Sequence, residues 1–400
     1  MIISFTVENF KSFKDKVTFT TEASVAYKEH INTLIHFRNK NYNRINAIFG
    51  SNASGKSNFI LALLFLRNFV VESNRIMPNQ KILVTPFKFD NKNAYSFFEI
   101  VFVVNEIKYV YGLRCNETVV LEEYLSYSPN GRMISIFKRI NTNEYEFGTD
   151  DTFLKDIVSK TSENRSFLTS IVSWNYEKAK PVLEFFYNMD ILFIDQKLFY
   201  SKTQNRVFEK INSDEKYKEF LIKILLSADI NIVDITVEKE NSFVINFPLQ
   251  NGQVDHYKVL LYHEINGKKY AISLGEESLG TQALVQLSYI IYNSLENEKV
   301  VIIDEIDSSL HPLLVMMIVN LYKENNISSQ LIFNSHDINL LDLDLLRRDQ
   351  IFFFEKDKNC SSYLYNLKDF GVRITDKVAR DYLYGRYGAV PNIKDIIIWK

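Results

Sequence analysis

The segment at residues 50–57 has the residue types and spacing of a phosphate-binding loop. It reads GSNASGKS and matches the pattern G-x-x-x-x-G-K-[ST] at every fixed position. Glycines let such a loop curl, so that several backbone N–H groups point at one set of phosphate oxygens. The lysine then contacts the β- and γ-phosphates and the serine binds Mg²⁺. The pattern predicts a site for a nucleoside triphosphate and Mg²⁺, formed by Gly50, Ser51, Asn52, Ala53, Ser54, Gly55, Lys56, Ser57 and Asn58.

A second group of candidate residues follows the apolar run at residues 300–303. The segment 300–312 reads VVIIDEIDSSLHP, so Asp304 stands where a buried strand would end, and Glu305 follows it. Ligands gather at the carboxyl ends of parallel strands, which makes Asp304 a candidate Mg²⁺ ligand and Glu305 a candidate general base. A strand that ends in solvated acids is common in proteins. The phosphate-binding loop in the same chain favours the catalytic interpretation.

His336 lies in the segment IFNSHD, directly after a predicted strand at residues 331–333. If that strand lies beside the one at residues 300–303, the histidine can reach the γ-phosphate from the same sheet edge. A lone histidine is usually structural or simply exposed. Its position after a sheet strand favours the functional interpretation, and the predicted catalytic residues are therefore Lys56, Glu305 and His336.

The elements around these motifs predict how they are positioned. A short apolar strand at residues 45–49 precedes the loop, and a helix at residues 58–71 follows it. From residue 278 onward, helices alternate with apolar strands, which indicates a parallel sheet with helices on its faces. The predicted elements there are helices at 281–295 and 312–322 and strands at 300–303, 330–333 and 350–355, followed by a polar tail.

The rest of the chain divides into regions that are rich in strands or in helices. Residues 1–20 and 82–140 alternate like strands, with turns at Asn105-Glu106 and at Pro129-Asn130-Gly131. Residues 151–226 resemble helices, most clearly at 215–227, and strands return at 232–239, 243–248 and 257–263. We therefore predict three parts, residues 1–144, 145–230 and 231–400, of which the second is mainly helical.

Composition limits the possible classes of protein. The 400 residues include 47 basic and 49 acidic side chains, so the net charge gives no sign of a protein that coats nucleic acid. The two cysteines, Cys115 and Cys360, lack metal-ligand spacing and are expected to be reduced thiols. The sequence shows neither a signal peptide nor about 18 consecutive apolar residues, which predicts a cytoplasmic protein without a membrane partner.

Taken together, the motifs resemble those of the ABC-class ATPases. The matching segments are ENFKSF at residues 8–13, GSNASGKSN, EESLGTQAL at 276–284, DEIDSSLHP and NSHD. They are most similar to soluble bacterial AAA-type ATP-binding proteins related to the OLD-family and SMC-like ATPases. The resemblance implies an α/β fold: an ABC-type P-loop NTPase head formed by residues 1–144 and 231–400, in which a mixed β-sheet has flanking helices. Residues 145–230 are then a mainly helical insertion in this ATPase head.

The resemblance also implies a composite active site. In ABC ATPases two heads enclose two nucleotides, and the signature segment of one head faces the γ-phosphate held by the other. By this analogy Ser278, Gly280 and Thr281 act on the nucleotide of a second copy, in a homodimer or a higher homo-oligomer. Ser308 and His311 would then lie near the dimer interface. Taken alone, the signature segment is better explained as a simple helix cap.

Three functions are compatible with these motifs. The family resemblance favours an anti-phage, abortive-infection ATPase that responds to a phage-derived trigger and acts with a separate Toprim-type nuclease. The alternatives are an SMC-like ATPase that binds DNA in repair or recombination, and a nucleotide-sensing scaffold without activity. Asp342, Asp344 and Asp349 are better explained as a solvated loop than as a Toprim cluster of this chain.

Overall fold

The computed structural model describes residues 1–89, 95–148, 151–194, 197–240, 256–308, 310–325 and 328–391. The strand predicted at residues 243–248 lies outside them. Within the described residues, no helix is long and apolar enough to cross a membrane.

Strands and helices follow one another along the chain in an order that matches most of the predicted elements. The strands are β1 (Ile2–Glu8), β2 (Val17–Thr20), β3 (Leu34–Phe37), β4 (Lys40–Asn43), β5 (Ile45–Phe49), β6 (Ser96–Val104), β7 (Ile107–Cys115), β8 (Val120–Ser128), β9 (Ile134–Ile140), β10 (Glu144–Phe147), β11 (Asp190–Phe193), β12 (Ile232–Glu240), β13 (His256–Ile265), β14 (Lys268–Ser273), β15 (Val300–Asp304), β16 (Gln330–Asn334), β17 (Ile351–Lys356) and β18 (Ser362–Asn366). The helices are α1 (Lys56–Glu72), α2 (Asp151–Val158), α3 (Phe167–Ser173), α4 (Lys180–Tyr187), α5 (Lys197–Ser213), α6 (Glu215–Ser227), α7 (Leu279–Glu296), α8 (Pro312–Glu324) and α9 (Val378–Leu383).

The chain forms two compact units. The first consists of Met1–Ile191, Glu298–Asp304 and Val319–Lys400, and the second of Leu192–Asn297 and Glu305–Ile318. The division into 1–144, 145–230 and 231–400 remains a prediction.

A six-stranded sheet in the order β11-β15-β16-β5-β17-β18 contains the strands that precede the phosphate-binding loop, Glu305 and His336. The pairs β15–β16, β16–β5 and β5–β17 are parallel, so the predicted parallel sheet and the predicted neighbours β15 and β16 are confirmed. Every residue of β5, β15 and β16 is buried, as expected for strands that are covered on both faces. The predicted polar tail is wrong in one respect, because its residues form β18, which pairs antiparallel with β17.

A second sheet of the first unit is antiparallel, with the order β10-β9-β8-β7-β6-β1-β2. The turn between β6 and β7 has positive φ at both Asn105 (49°) and Glu106 (59°), which is the backbone of a type I′ hairpin. The predicted pairing of the first two strands is confirmed, with Phe5 opposite Phe19.

Aromatic packing holds α1 in place. The ring centroid of Phe59 on α1 lies 5.6 Å from that of Phe5, 5.4 Å from that of Phe19 and 5.5 Å from that of Phe354. Phe5 and Phe19 belong to the antiparallel sheet, whereas Phe354 belongs to the six-stranded sheet. Contacts with both sheets fix the first turns of α1, which directly follow the phosphate-binding loop.

The second unit contains a three-stranded sheet, β12-β13-β14, and the helices α5, α6 and α7. Tyr217 on α6 is fully buried, and its hydroxyl lies 3.1 Å from the Ser288 hydroxyl on α7. Sequence analysis missed β14 because its residues are exposed along nearly the whole strand and so show no apolar alternation. It also missed β11, which interrupts the region predicted as helices.

One of the three acids interpreted as a solvated loop is buried. Asp342 and Asp344 are exposed, but Asp349 is only 1% exposed and its carboxylate accepts two hydrogen bonds from the buried Arg347 guanidinium, at 3.0 and 3.1 Å. A buried carboxylate is stable only when it is paired and hydrogen-bonded. For Asp349, the solvated-loop interpretation is therefore wrong.

Candidate nucleotide-binding site

The phosphate-binding loop connects β5 to α1, as predicted. Its glycines have backbone φ angles of 147° at Gly50 and 119° at Gly55, which side chains of L residues rarely allow. A Cβ atom at Gly50 would lie 2.4 Å from the carbonyl oxygen of Phe354, and one at Gly55 would lie 2.4 Å from the Ser362 hydroxyl. At both positions a side chain is therefore excluded by steric contact as well as by the backbone conformation.

Helix α1 begins at Lys56, two residues earlier than predicted, and directs its N-terminus at the loop. Gly55 is its N-cap residue, and no side chain caps the helix by a hydrogen bond. The first turn of a helix presents N–H groups and a partial positive charge, which together favour an anion. The end of the loop is therefore suited to a phosphate group.

The Lys56 side chain lies over the loop. It is 5% exposed, and its ammonium group donates hydrogen bonds to the carbonyl oxygens of Gly50 at 2.8 Å and Ser51 at 3.2 Å. These bonds hold a positive charge at the loop, where the pattern predicts the β- and γ-phosphates.

Hydrogen bonds from residues that are distant in sequence support the loop. The Ser362 hydroxyl on β18 donates to the Ser54 carbonyl at 2.6 Å and lies 2.9 Å from the Ser12 hydroxyl. Asn58 donates to the same Ser12 hydroxyl at 2.9 Å, and the Ser362 amide donates to the Ser12 carbonyl at 2.7 Å. Ser12 belongs to the ENFKSF segment. Sequence analysis missed the contribution of Ser362, which no local motif marks.

Asp304 is the last residue of β15 and is 8% exposed. The side-chain amide of Asn334, at the end of β16 and fully buried, donates a hydrogen bond to its carboxylate. Because β5 and β15 both pair with β16 in parallel, their carboxyl ends share one sheet edge and lie two strand spacings apart, or about 10 Å. The Asp304 carboxylate and the Ser57 hydroxyl offer the hard oxygen ligands that Mg²⁺ prefers.

His336 lies just beyond the carboxyl end of β16, whereas Glu305 lies at the start of a segment of the second unit. The Ser335 amide still bonds to the Ile48 carbonyl at 3.1 Å, and the next residue, His336, is exposed just beyond this edge. Glu305 directly follows Asp304 but begins a segment of the second unit. Its backbone has a positive φ of 52°, which is uncommon for a residue other than glycine.

The predicted signature residues lie at the start of α7, in the second unit. The Ser278 hydroxyl accepts a hydrogen bond from the Thr281 amide at 3.1 Å and lies 2.9 Å from the Thr281 hydroxyl. Ser278 is thus the N-cap residue of α7, with Gly280 in the first turn and an exposed Leu279 between them. The structure contains the helix cap, and the role of these residues in a second copy stays a prediction.

Residues 45–342 match a protein family described as "AAA domain, putative AbiEii toxin, Type IV TA system". The chain belongs to this family. The matched region of this AAA family begins at β5 and extends past His336. It therefore includes the loop, α1, Asp304 and the strands β5, β15 and β16, whose carboxyl ends form one sheet edge. The protein is therefore a P-loop NTPase of the AAA type.

Several solved structures of SMC head domains resemble this AAA-family protein. An Smc head bound to the C-terminal winged-helix domain of ScpA is 15% identical, with 93% of this chain and 99% of the other covered and a TM-score of 0.46. The SMC head of Thermotoga maritima is 17% identical, with 91% and 98% covered and a TM-score of 0.43. An Smc head bound to a ScpA domain, derived from Pyrococcus furiosus, is 14% identical, with 91% and 96% covered and a TM-score of 0.44. A comparison with curated proteins gives no match.

Proposed function

We propose that this protein is an ABC-class ATPase that hydrolyses ATP at composite sites in a head-to-tail dimer. The observation that carries the proposal is the common sheet edge on which the phosphate-binding loop and the Asn334-bonded carboxylate of Asp304 both lie. A loop for phosphates and an oxygen ligand for a divalent cation, placed at the carboxyl ends of parallel strands that flank β16, are the two parts that phosphoryl transfer requires.

Each residue of the site has a distinct role in this proposal. Lys56 and the first N–H groups of α1 bind the β- and γ-phosphates, while Ser57 and Asp304 hold Mg²⁺, which neutralises charge that develops on the phosphates. Glu305 orients the attacking water and accepts its proton, and His336 contacts the γ-phosphate. The remaining loop residues, Ser51, Asn52, Ala53, Ser54 and Asn58, shape the loop or bind the nucleotide.

The second copy contributes the start of α7. Ser278 and Thr281 supply hydroxyl groups, and Gly280 supplies a backbone N–H at a helix N-terminus, which favours the negative γ-phosphate. Closure of the dimer then requires ATP, and hydrolysis releases it, so that nucleotide state controls the geometry of the assembly.

The biological role that fits best is regulation of an abortive-infection system. The family description names AbiEii and a Type IV TA system, and we extend that context to this chain as part of the proposal. In this role the ATPase senses a phage-derived trigger and controls a separate effector, such as a Toprim nuclease. Purification of the Glu305→Gln protein with ATP from phage-infected cells tests this role. A nucleic acid recovered in place of an effector would favour the SMC-like alternative.

Two variants test the nucleotide site. Lys56→Ala should abolish ATP binding in a direct titration, and normal affinity would remove the loop from the mechanism. Glu305→Gln should retain ATP and accumulate as a dimer in light-scattering measurements. Wild-type turnover by that variant would exclude Glu305 as the base.

A mixture of variants tests the composite arrangement. Ser278→Ala and Lys56→Ala are each expected to be inactive, but a mixed dimer contains one site with both an intact loop and an intact signature segment. The mixture should therefore hydrolyse ATP faster than either variant alone. A mixture no faster than its components would contradict the head-to-tail dimer.

A further inference from the structure

A histidine on the middle strand of the three-stranded sheet is bonded to the residue that precedes Ser278. His263 on β13 has its Nε2 atom 2.7 Å from Oε1 of Glu277. The side chains are only 19% and 11% exposed, so the pair is largely protected from water. Such a bond is stronger than one between exposed groups, because competition from water is reduced.

The other hydrogen bonds of this segment are local. The Ser273 amide donates to the Glu276 carboxylate at 3.2 Å, the Glu277 amide donates to the Leu274 carbonyl at 3.3 Å, and the Gln282 side chain donates to the Glu277 carbonyl at 2.8 Å. These bonds fix the shape of the segment. The bond from His263 instead fixes its position on the sheet.

We propose that His263 is a positioning residue for the signature segment, residues 276–281. Glu277 is covalently joined to Ser278, the N-cap residue of α7, so a shift of Glu277 displaces the Ser278 hydroxyl and the N–H groups that follow. Misplacement of a group that contacts the reacting phosphate lowers the rate, by up to about 100-fold for a displacement of about 1 Å. This inference rests on the proposed composite site. It adds the residue that positions the signature segment, which each copy contributes to the nucleotide of the other.

The test is steady-state ATPase kinetics with direct ATP titration. His263→Ala should lower kcat about tenfold, the loss expected for one charge-assisted hydrogen bond, and leave ATP affinity at its own loop unchanged. Glu277→Ala should have the same effect, and the double variant should be no slower than either single variant, because both remove one interaction. Additive losses would contradict the proposal.

A conservative variant and a matched control separate positioning from folding. His263→Gln retains a side-chain amide that can donate to Glu277, so it should recover most of the wild-type kcat. Tyr262→Phe removes the neighbouring hydroxyl, which lies 3.3 Å from the Thr236 hydroxyl on the other face of β13, and should not change kcat. An equal loss of kcat in His263→Gln or in Tyr262→Phe would overturn the positioning role.

Mixed dimers decide which active site the histidine serves. A mixture of His263→Ala with Lys56→Ala should recover activity, because one site then combines the intact loop of the first variant with the intact signature segment of the second. If the mixture of Ser278→Ala with Lys56→Ala recovers activity and the mixture of His263→Ala with Lys56→Ala does not, the positioning role of His263 is contradicted and the composite site is retained. Failure of both mixtures would overturn the composite site and this inference with it.

Discussion

The Ser362 hydroxyl donates a 2.6 Å hydrogen bond to the main-chain carbonyl of Ser54, 308 residues away in the sequence. Ser54 lies inside the phosphate-binding loop, and Ser362 is the first residue of β18. The loop is therefore held by a hydrogen bond from β18, a strand that pairs with β17, which in turn pairs with β5. This relationship makes the conformation of the loop a property of the tertiary structure.

Removal of that support should weaken nucleotide binding. Ser362→Ala deletes the bonds to Ser54 and Ser12, and one net hydrogen bond contributes about 1 kcal/mol. We expect a roughly three- to tenfold rise in the Kd for ATP, with little change in kcat at saturating ATP. Calorimetric titration measures the Kd. The matched control is Ser213→Ala, which removes an exposed hydroxyl on α5 and should leave the Kd unchanged.

A methyl group at Gly55 should be more disruptive than one at another glycine with a positive φ, because only Gly55 of the two lacks space for it. Gly55→Ala places a Cβ 2.4 Å from the Ser362 hydroxyl and 2.8 Å from the Ser362 Cβ, so the loop or β18 has to shift. Gly371 also has a positive φ, of 62°, but a Cβ there meets nothing within 4 Å. Gly371→Ala should therefore cost only about 1 kcal/mol of stability and retain ATP binding. Equal ATP binding by the two variants would contradict the steric argument.

The bond from Asn334 to Asp304 should control the affinity for Mg²⁺. Asn334→Ser shortens the side chain and leaves the Asp304 carboxylate without its oriented amide donor. Residues that orient metal ligands typically contribute 10- to 100-fold in metal affinity or activity, so we expect ATPase activity to require about tenfold more Mg²⁺. A Mg²⁺ titration at saturating ATP measures this. Asn339→Ser, at an exposed asparagine bonded to Asp337, is the control.

Acid should remove one stabilising ion pair from the first unit. Burial alone would raise the pKa of the Glu29 carboxyl, but hydrogen bonds and charge from Arg348 hold the pKa below its ordinary value of 4.5. Arg348 donates to both Glu29 oxygens, at 2.8 and 3.2 Å. A carboxyl whose pKa is lowered by folding stabilises the protein above pH 4.5, and this contribution disappears as pH falls through the folded-state pKa.

We therefore expect Glu29→Gln to lower the thermal midpoint at pH 7 and to differ less from wild type as the pH falls from about 5 to 3. Thermal melts across that range measure the difference. Glu22→Gln breaks an exposed pair with Lys40 and should change the midpoint little at any pH. A constant difference between Glu29→Gln and wild type would contradict the assignment.

Local sequence was sufficient wherever a feature depends on neighbouring residues. The strand at Ile45–Phe49 has the predicted bounds, because a short apolar run that ends in glycine is a local signal. Helix α6 also has the predicted bounds, since Asp214 caps it in place through the Tyr217 amide. The hairpin turn at Asn105-Glu106 is a further predicted feature that depends on neighbouring residues. Elements without such signals were missed, among them β11, β14 and β18.

The sequence by itself determined which chemical groups the candidate site offers, because the spacing of glycine, lysine and serine, and the carboxylates after an apolar strand, are set along the chain. Only the tertiary structure decided which partners hold those groups. Ser362 and Ser12 support the loop, Asn334 orients Asp304, and β16 separates β5 from β15. The physical reason is that each of these contacts joins residues that are distant in sequence, and only the packing of the sheets and helices brings their polar groups within hydrogen-bond distance.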